Sequence, residues 1–336
     1  LFSGFSSLIN YHAKCRMNQK NYILLLLLCL CFAGCKEKLV VESDHLPIAD
    51  PYVMLYEGKY YAYGTGGTVE GEGFACFSSD DLKNWTREGQ ALSAANSYGT
   101  WGFWAPEVYY IKSKNKFYLF YSTEEHICVA TADVPQGPFR QEVKQPIWGE
   151  KSIDTSLFID DDGTPYLYFV RFTDGNVIWV AEMNDDLTGI KQETLTECIK
   201  AEEPWELSQD KPAKVAEGPS VLKKNGIYYL IYSANHFESK NYGVGYATSD
   251  SPMGPWTKYV GNPILQRVDE LMGTGHGVPF LCKDGSWKYI FHAHWSSTKV
   301  QPRTSYIKDF AISDRGVVSI GGDIIRPQVV SNASEK

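Results

Sequence analysis

The sequence has no CxxC pair, and past Cys35 it holds only four widely spaced cysteines, Cys76, Cys128, Cys198 and Cys282. That scarcity argues against a disulfide-stapled scaffold and against a zinc site, and it reads as buried free thiols inside strands. Positive charge is also short, with 32 Lys and Arg against 40 Asp and Glu. Residues 1–35 carry Lys14, Arg16 and Lys20 and no acid, so the remainder has 29 basic against 40 acidic residues, a net of −11. Nucleic-acid binding needs a clustered basic face, which this balance does not supply. A membrane-spanning run is missing too: the apolar stretch from Tyr22 to Phe32 falls short of the roughly 20 residues that cross a bilayer.

That short run has a different reading. Asn18, Gln19 and Lys20 follow Met17 as a polar, basic lead, Leu24 to Leu28 form an apolar centre, and the run ends in Phe32-Ala33-Gly34-Cys35. A basic start, a short apolar core and small residues before a cut describe an export signal. Ala33-Gly34-Cys35 resembles the lipobox of bacterial lipoproteins, in which the cysteine is acylated and becomes the new N-terminus. Residues 1–16, upstream of Met17, then precede the natural start. The expectation is an exported periplasmic or outer-membrane lipoprotein, touching the membrane only through a lipid at Cys35, with residues 36–44 as linker and 45–336 as one domain. The sequence says nothing of oligomeric state.

About 300 residues remain, and internal repeats decide how they fold. A turn followed by an aromatic, alternating strand recurs at Gly58–Tyr63, Asn115–Phe120, Gly163–Tyr168, Gly226–Ile231 and Gly285–Ile290. Each has the composition of a half-buried strand. With Tyr60, Phe117, Pro165, Tyr228 and Trp287 as equivalents, the spacings are 57, 48, 63 and 59 residues. A second strand ending in a turn follows most copies, at Phe77–Leu82, Ala130–Pro135 and Ala247–Pro252. Small sheets repeated radially close a ring and avoid long exposed edges. The fold class expected is all-β, a five-bladed β-propeller.

Ten or eleven residues before each aromatic strand stands an ionisable residue: Asp50, Glu107, Asp154, Glu217 and His276. Equivalent points of a ring face one another, so five residues distant in sequence should meet in one cavity. Their flanks are apolar or Gly-Pro, which suggests partial burial, and burial raises a carboxyl pKa until it can act as an acid near neutral pH. Glycoside hydrolysis needs such a pair, one protonated carboxyl and one ionised. Trp101, Phe103 and Trp104 read equally as an apolar wall for a sugar face or as blade packing.

Ile48-Ala-Asp-Pro51, Trp104-Ala-Pro-Glu107, Ile153-Asp-Thr-Ser-Leu-Phe158, Ala216-Glu-Gly-Pro219 and Thr274-Gly-His-Gly277 together resemble glycoside hydrolase family 43, over about residues 45–330. The resemblance implies Asp50 as general base, Asp154 as the residue that tunes pKa and orients, and Glu217 as general acid. It implies inversion at the anomeric carbon, with acid and base roughly 6.5–9.5 Å apart. It implies a calcium ion or a water network near the axis through His276, although a lone histidine suits calcium's preference for oxygen poorly. Glu107 stands where the family often has Asp; Trp104, Glu107, His236 and Arg303 are substrate-site candidates, Arg303 resembling a pocket arginine of the family's pentosidases. The implied partners are plant hemicellulose or pectin oligosaccharides carrying α-L-arabinofuranose or β-D-xylose, trimmed from the end rather than within the chain. Related fructan-cleaving propellers carry Asn-Asp-Pro-Asn and Arg-Asp-Pro, and neither is present. A binding-only propeller is disfavoured because all three acids are in place.

The N-terminal reading has its own test. Replacing Cys35 with Ala should abolish incorporation of labelled fatty acid in a bacterial host and move the protein out of the membrane fraction; unchanged labelling would refute the anchor.

Overall fold

The computed structural model describes residues 39–67, 72–208 and 211–332. Cys35 and the export segment lie outside the described residues. One compact unit spans Val40–Ser331, and among the described residues there is no α-helix.

A strand at Leu39–Ser43 (β1), within the stretch read as linker, precedes the repeats. Blade 1 contains β2 (Ala49–Tyr56), β3 (Lys59–Thr65), β4 (Gly73–Ser79) and β5 (Asn84–Ser93), and blade 2 contains β6 (Trp104–Ile111), β7 (Lys116–Thr123) and β8 (His126–Ala132). Blade 3 follows with β9 (Ser152–Ile159), β10 (Pro165–Phe172), β11 (Asn176–Glu182) and β12 (Thr196–Ile199). Blade 4 has β13 (Ala216–Lys224), β14 (Ile227–Ala234), β15 (Gly243–Ser249) and β16 (Thr257–Lys258); blade 5 has β17 (Gly275–Leu281), β18 (Trp287–Ala293), β19 (Thr304–Ile312) and β20 (Val318–Ile325). The last strand, β21 (Gln328–Asn332), returns to blade 1 and pairs in parallel with β5. Within each blade consecutive strands are neighbours and antiparallel. The chain is thus the five-bladed all-β propeller expected. The hairpins need little else than their turn residues: Glu57-Gly58 and Asn225-Gly226 each join two strands with φ of 48° and 77°, and 53° and 81°. Positive φ at both central residues is the turn whose twist matches paired strands.

The recurring aromatic strands, expected to be half-buried, are buried on both faces. In β14, Leu230, Tyr232 and Ala234 pack toward blade 3, while Tyr229 and Ile231 pack toward blade 5. The same holds around the ring, where five apolar clusters each join two adjacent blades. A blade has no layer of its own to bury it, so both faces must be apolar and neighbours must supply the cover.

The first strands meet at the axis, where residues of β2, β6, β9, β13 and β17 line a cavity of only about 10 Å³. Each of these strands slips register by one residue at its start, where two residues stand opposite one: Asp50-Pro51, Ala105-Pro106, Asp154-Thr155, Gly218-Pro219 and His276-Gly277 fall out of the ladder. The first residue of each bulge is left-handed, with φ of 47°, 45°, 57°, 55° and 45°. A bulge of this kind re-aims a side chain and frees a backbone N–H from the ladder. The freed N–H groups find acceptors on the preceding blade. Ala105 donates to Thr65 Oγ1 at 2.9 Å, Asp154 to Ser122 Oγ at 2.9 Å, His276 to Ser233 Oγ at 2.7 Å, and Asp50 to His292 Nδ1 at 3.1 Å. In blade 4 the acceptor is Asp154 itself, whose Oδ2 lies 3.4 Å from the Gly218 nitrogen.

This register corrects the expectation that every blade carries an ionisable residue at one equivalent point. Blades 1, 3 and 5 do, with Asp50, Asp154 and His276. In blade 4 the bulge begins at Gly218, one residue after Glu217, and in blade 2 it begins at Ala105, two before Glu107. Counting back from the aromatic strand hid the difference, because the hairpin between the first two strands is not of one length: it is two residues longer in blade 2 than in blades 1 and 4.

Ala105 provides a test. A left-handed L-residue costs roughly 1–2 kcal/mol and glycine forfeits about 0.5–1 kcal/mol of unfolded-state entropy. Ala105→Gly should therefore raise stability by about 0.5–1 kcal/mol in urea unfolding. Gly218→Ala should lower it, since the added carbon would also sit 3.0 Å from the His276 ring.

Candidate active site

A cleft of about 1020 Å³ opens above the axial cavity, and its lining includes Asp50, Asp154 and Glu217. Trp104, His236, His276 and Arg303 line it as well. The sequence therefore brought seven of its eight candidates to one place. Glu107 is the exception. It lines the axial cavity, not the cleft, bonded to the Tyr109 hydroxyl, which also approaches Ser156 Oγ at 3.5 Å. The expected contact with substrate is withdrawn, because two residues past its bulge Glu107 is back in regular pairing with Phe120. Phe103 likewise belongs to the core, stacked on Tyr121, so the apolar wall reduces to Trp104, with the exposed Trp101 edge-on to it at 6.0 Å.

Asp50 is the most tightly held carboxylate. Arg303 Nη1 donates to Oδ1 at 2.8 Å and Nη2 reaches Oδ2 at 3.3 Å, while Thr65 Oγ1 donates to Oδ2 at 2.6 Å. His276 Nδ1 lies 3.4 Å from Oδ1. Burial opposes ionisation, but Arg303, His276 and His292 outweigh it and hold this carboxyl well below the usual carboxylate range. Asp50 is an anion at any pH at which a protein of this kind works. His292 is neutral, its pKa lowered to about 3 by burial and by the Arg303 charge.

Asp154 has the opposite environment. Burial, with Glu217 and Asp50 adding to it against the His276 charge, pushes its pKa up to about 7. Glu217 is held at both oxygens, Oε2 by Asn176 Nδ2 at 2.9 Å and Oε1 by the Tyr242 hydroxyl at 2.8 Å. Tyr242 is fully buried and stays protonated, since burial and Glu217 raise its pKa well above 10. Its ring stacks on His292 at 5.7 Å, and Gly275 is required beside it, because a Cβ there would lie 2.5 Å from the ring.

His276 sits between carboxylates, 3.4 Å from Asp50 and 4.0 Å from Asp154. Burial works against its charge, yet Asp50, Asp154 and Glu217 raise its pKa above the ordinary histidine value. Among the described residues no group of three or more His, Cys, Asp or Glu is set to hold a metal. Calcium asks for six to eight oxygen ligands, so the residues around His276 do not fit the calcium expected there, and no step is derived through it. His236 contributes a ring stacked on Phe237, its Nδ1 accepting from the Glu238 N–H at 3.2 Å.

Sequence reasoning missed Thr65, Asn176, Tyr242 and His292. Thr65 and His292 lie near the ends of aromatic strands it had already found, where the preceding blade meets the next bulge. Asn176 and Tyr242 sit in or beside turns and carry no local signal.

The arrangement combines one carboxylate held ionised beside Arg303, a second carboxyl, Asp154, that burial pushes toward its protonated form, and a third, Glu217, held at both oxygens by Asn176 and Tyr242. Comparisons with known proteins agree with it. Glycosyl hydrolases family 43 matches residues 45–318. Beta-xylosidase of Xylanibacter ruminicola is 30% identical over 302 residues, spanning 76% of this chain and 90% of that one. Beta-D-galactofuranosidase xynD of Aspergillus niger is 28% identical over 270 residues, 74% of each chain. Among solved structures, Endo-1,4-beta-xylanase from Bacteroides thetaiotaomicron VPI-5482 is 77% identical with a TM-score of 0.85, covering 87% of this chain and 100% of that one. The chain belongs to glycosyl hydrolase family 43 and is an O-glycosidase.

Glu107 yields a stability prediction. Burial pushes its pKa up to about 8, against about 4.3 in an unfolded chain. Between those values the native state keeps a proton the unfolded chain has released, so stability falls as pH rises through the window. Glu107→Gln removes that penalty. Its stability relative to the parent should improve by about 1–3 kcal/mol between pH 5 and pH 9; a difference that does not change with pH would contradict the assignment.

Proposed function

We propose that this family 43 glycosidase releases pentose residues, α-L-arabinofuranose or β-D-xylose, from plant arabinan, arabinoxylan or their oligosaccharides with inversion at the anomeric carbon. The observation that carries the reading is the different setting of the three carboxyls in one cleft: Asp50 is held as an anion by Arg303, burial pushes Asp154 toward its protonated form, and Glu217 is held at both oxygens by Asn176 and Tyr242. Glu217 donates its proton to the glycosidic oxygen, and Tyr242 and Asn176 then stabilise the carboxylate left behind. Asp50, aimed by Arg303 and Thr65, takes a proton from the water that attacks the anomeric carbon from the opposite face. Asp154 receives the Gly218 N–H at the start of the blade that carries Glu217, which positions the acid. The names of the xylosidase and xylanase relatives support a pentose.

A second reading, cleavage within the chain, is favoured by the endo-xylanase name of the 77% identical structure and by a cleft at the upper end of the 300–1,000 Å³ range typical of small-molecule sites. Chromatography of products from linear arabinan, arabinoxylan and xylan separates the two. A free pentose as the first product supports trimming from the end, and early oligosaccharides with a rapid fall in viscosity support internal cleavage.

Asp154, with its pKa near 7, is a rival for the acid, and leaving groups distinguish the two. Glu217→Gln should lose about 10²–10⁴-fold on substrates with poor leaving groups and far less on activated phenols, which depart without full protonation. Asp50→Asn should damage both classes alike, because water needs activation in either case. Asp154→Asn should lower activity and shift the pH profile while leaving the dependence on leaving group intact. If Asp154→Asn, and not Glu217→Gln, showed the leaving-group signature, the proton donor would be Asp154.

A further inference from the structure

We infer that Phe172, at the tip of the β10–β11 hairpin, is the platform on which the leaving sugar stacks, with Asp174 and Lys214 as its hydrogen-bonding rim. The inference rests on Glu217 as proton donor. An acid that protonates the glycosidic oxygen lies on the side of the sugar being released, so residues built around Glu217 face the leaving group, and those built around Asp50 face the pentose that is cut off. Asn176 fixes Glu217 Oε2 at 2.9 Å and is the first residue of β11, paired with Phe172, the last of β10. The hairpin that orients the acid thereby presents Phe172 beside it.

That side of the cleft is rigid. The Asn176 N–H donates to the Lys214 carbonyl at 2.9 Å, and Lys214 Nζ spans both Asp174 oxygens at 3.0 Å and 2.8 Å. Gly175, at φ 78°, lets the two segments touch, since a Cβ there would fall 2.1 Å from the Lys214 oxygen. On this frame Phe172 lines the cleft with 43% of its surface exposed. An aromatic ring fixed at a paired strand position and left in water has no packing role on that face, whereas the apolar C–H face of a sugar ring complements it. The charged pair beside it offers donors and acceptors to the hydroxyls of the same sugar. At the other end Asp50 meets Arg303 and Thr65, a polar setting suited to the pentose itself.

The test compares substrates with and without a leaving sugar. β-D-Xylosyl fluoride and α-L-arabinofuranosyl fluoride expel a single atom, while xylotriose and arabinotriose expel a sugar. In the full chain, Phe172→Ala should lower kcat/KM on the trisaccharide about tenfold, the size of one lost stacking contact, and change the fluoride by less than roughly twofold. Phe172→Trp should restore the trisaccharide rate. Parallel losses on both substrates would make Phe172 a structural residue, and an unaltered trisaccharide rate would remove it from the sugar's path. Glu217→Gln run on the same pair keeps the two ideas apart. Equal losses there would overturn the acid assignment, whereas a loss confined to the trisaccharide together with an indifferent Phe172→Ala would overturn the platform alone.

Discussion

The constraint behind this architecture is a backbone donor that must not be left unpaired. Every first strand breaks its ladder at a bulge close to the axis, and each break frees an N–H in a buried place, where an unmet donor costs about 1–3 kcal/mol. Four blades meet that need with Thr65, Ser122, Ser233 or His292 of the blade before. The fifth uses Asp154. Blade-to-blade registry and site geometry are therefore one requirement. The residue that supplies an acceptor to its neighbour also sets where that neighbour's bulge points, and three bulges point an ionisable side chain into the cleft. Ring closure obeys the same rule: Asp50 of the first blade is bound by Arg303, 253 residues away in the last.

Electrostatics then divide the labour. Three buried carboxyls cannot all be anions so close together without counter-charge. Arg303 pairs with Asp50 alone among the three, and His276 lies between Asp50 and Asp154. Asp50, beside the arginine, is held ionised, while burial pushes the pKa of Asp154, farther from it, up to about 7. Unequal placement of positive charge is enough to set two carboxyls of the same intrinsic chemistry apart.

Much of this was legible in the sequence. The aromatic strands repeat because every blade must be apolar on both faces, and repetition survives in a one-dimensional string. Asp50, Asp154, Glu217, His276 and Arg303 were found because each stands in a distinctive local motif. Glu107 was misread because the blade 2 hairpin is two residues longer than that of blade 1, which displaces a count made back from the aromatic strand. Tyr242 and Asn176 were missed for a different reason: each acts on Glu217 from another part of the chain, and nothing near it in sequence signals a partner 25 or 41 residues away.

The left-handed bulge sets side chain against backbone. Asp50, Asp154 and His276 each occupy a conformation that glycine adopts without strain, and blade 4 already has glycine there. Replacing the residue by glycine at these positions would relax the backbone while removing a side chain that lines the cleft. At Asp154 the exchange would also strip the Gly218 N–H of its acceptor, so the two effects on stability oppose one another there.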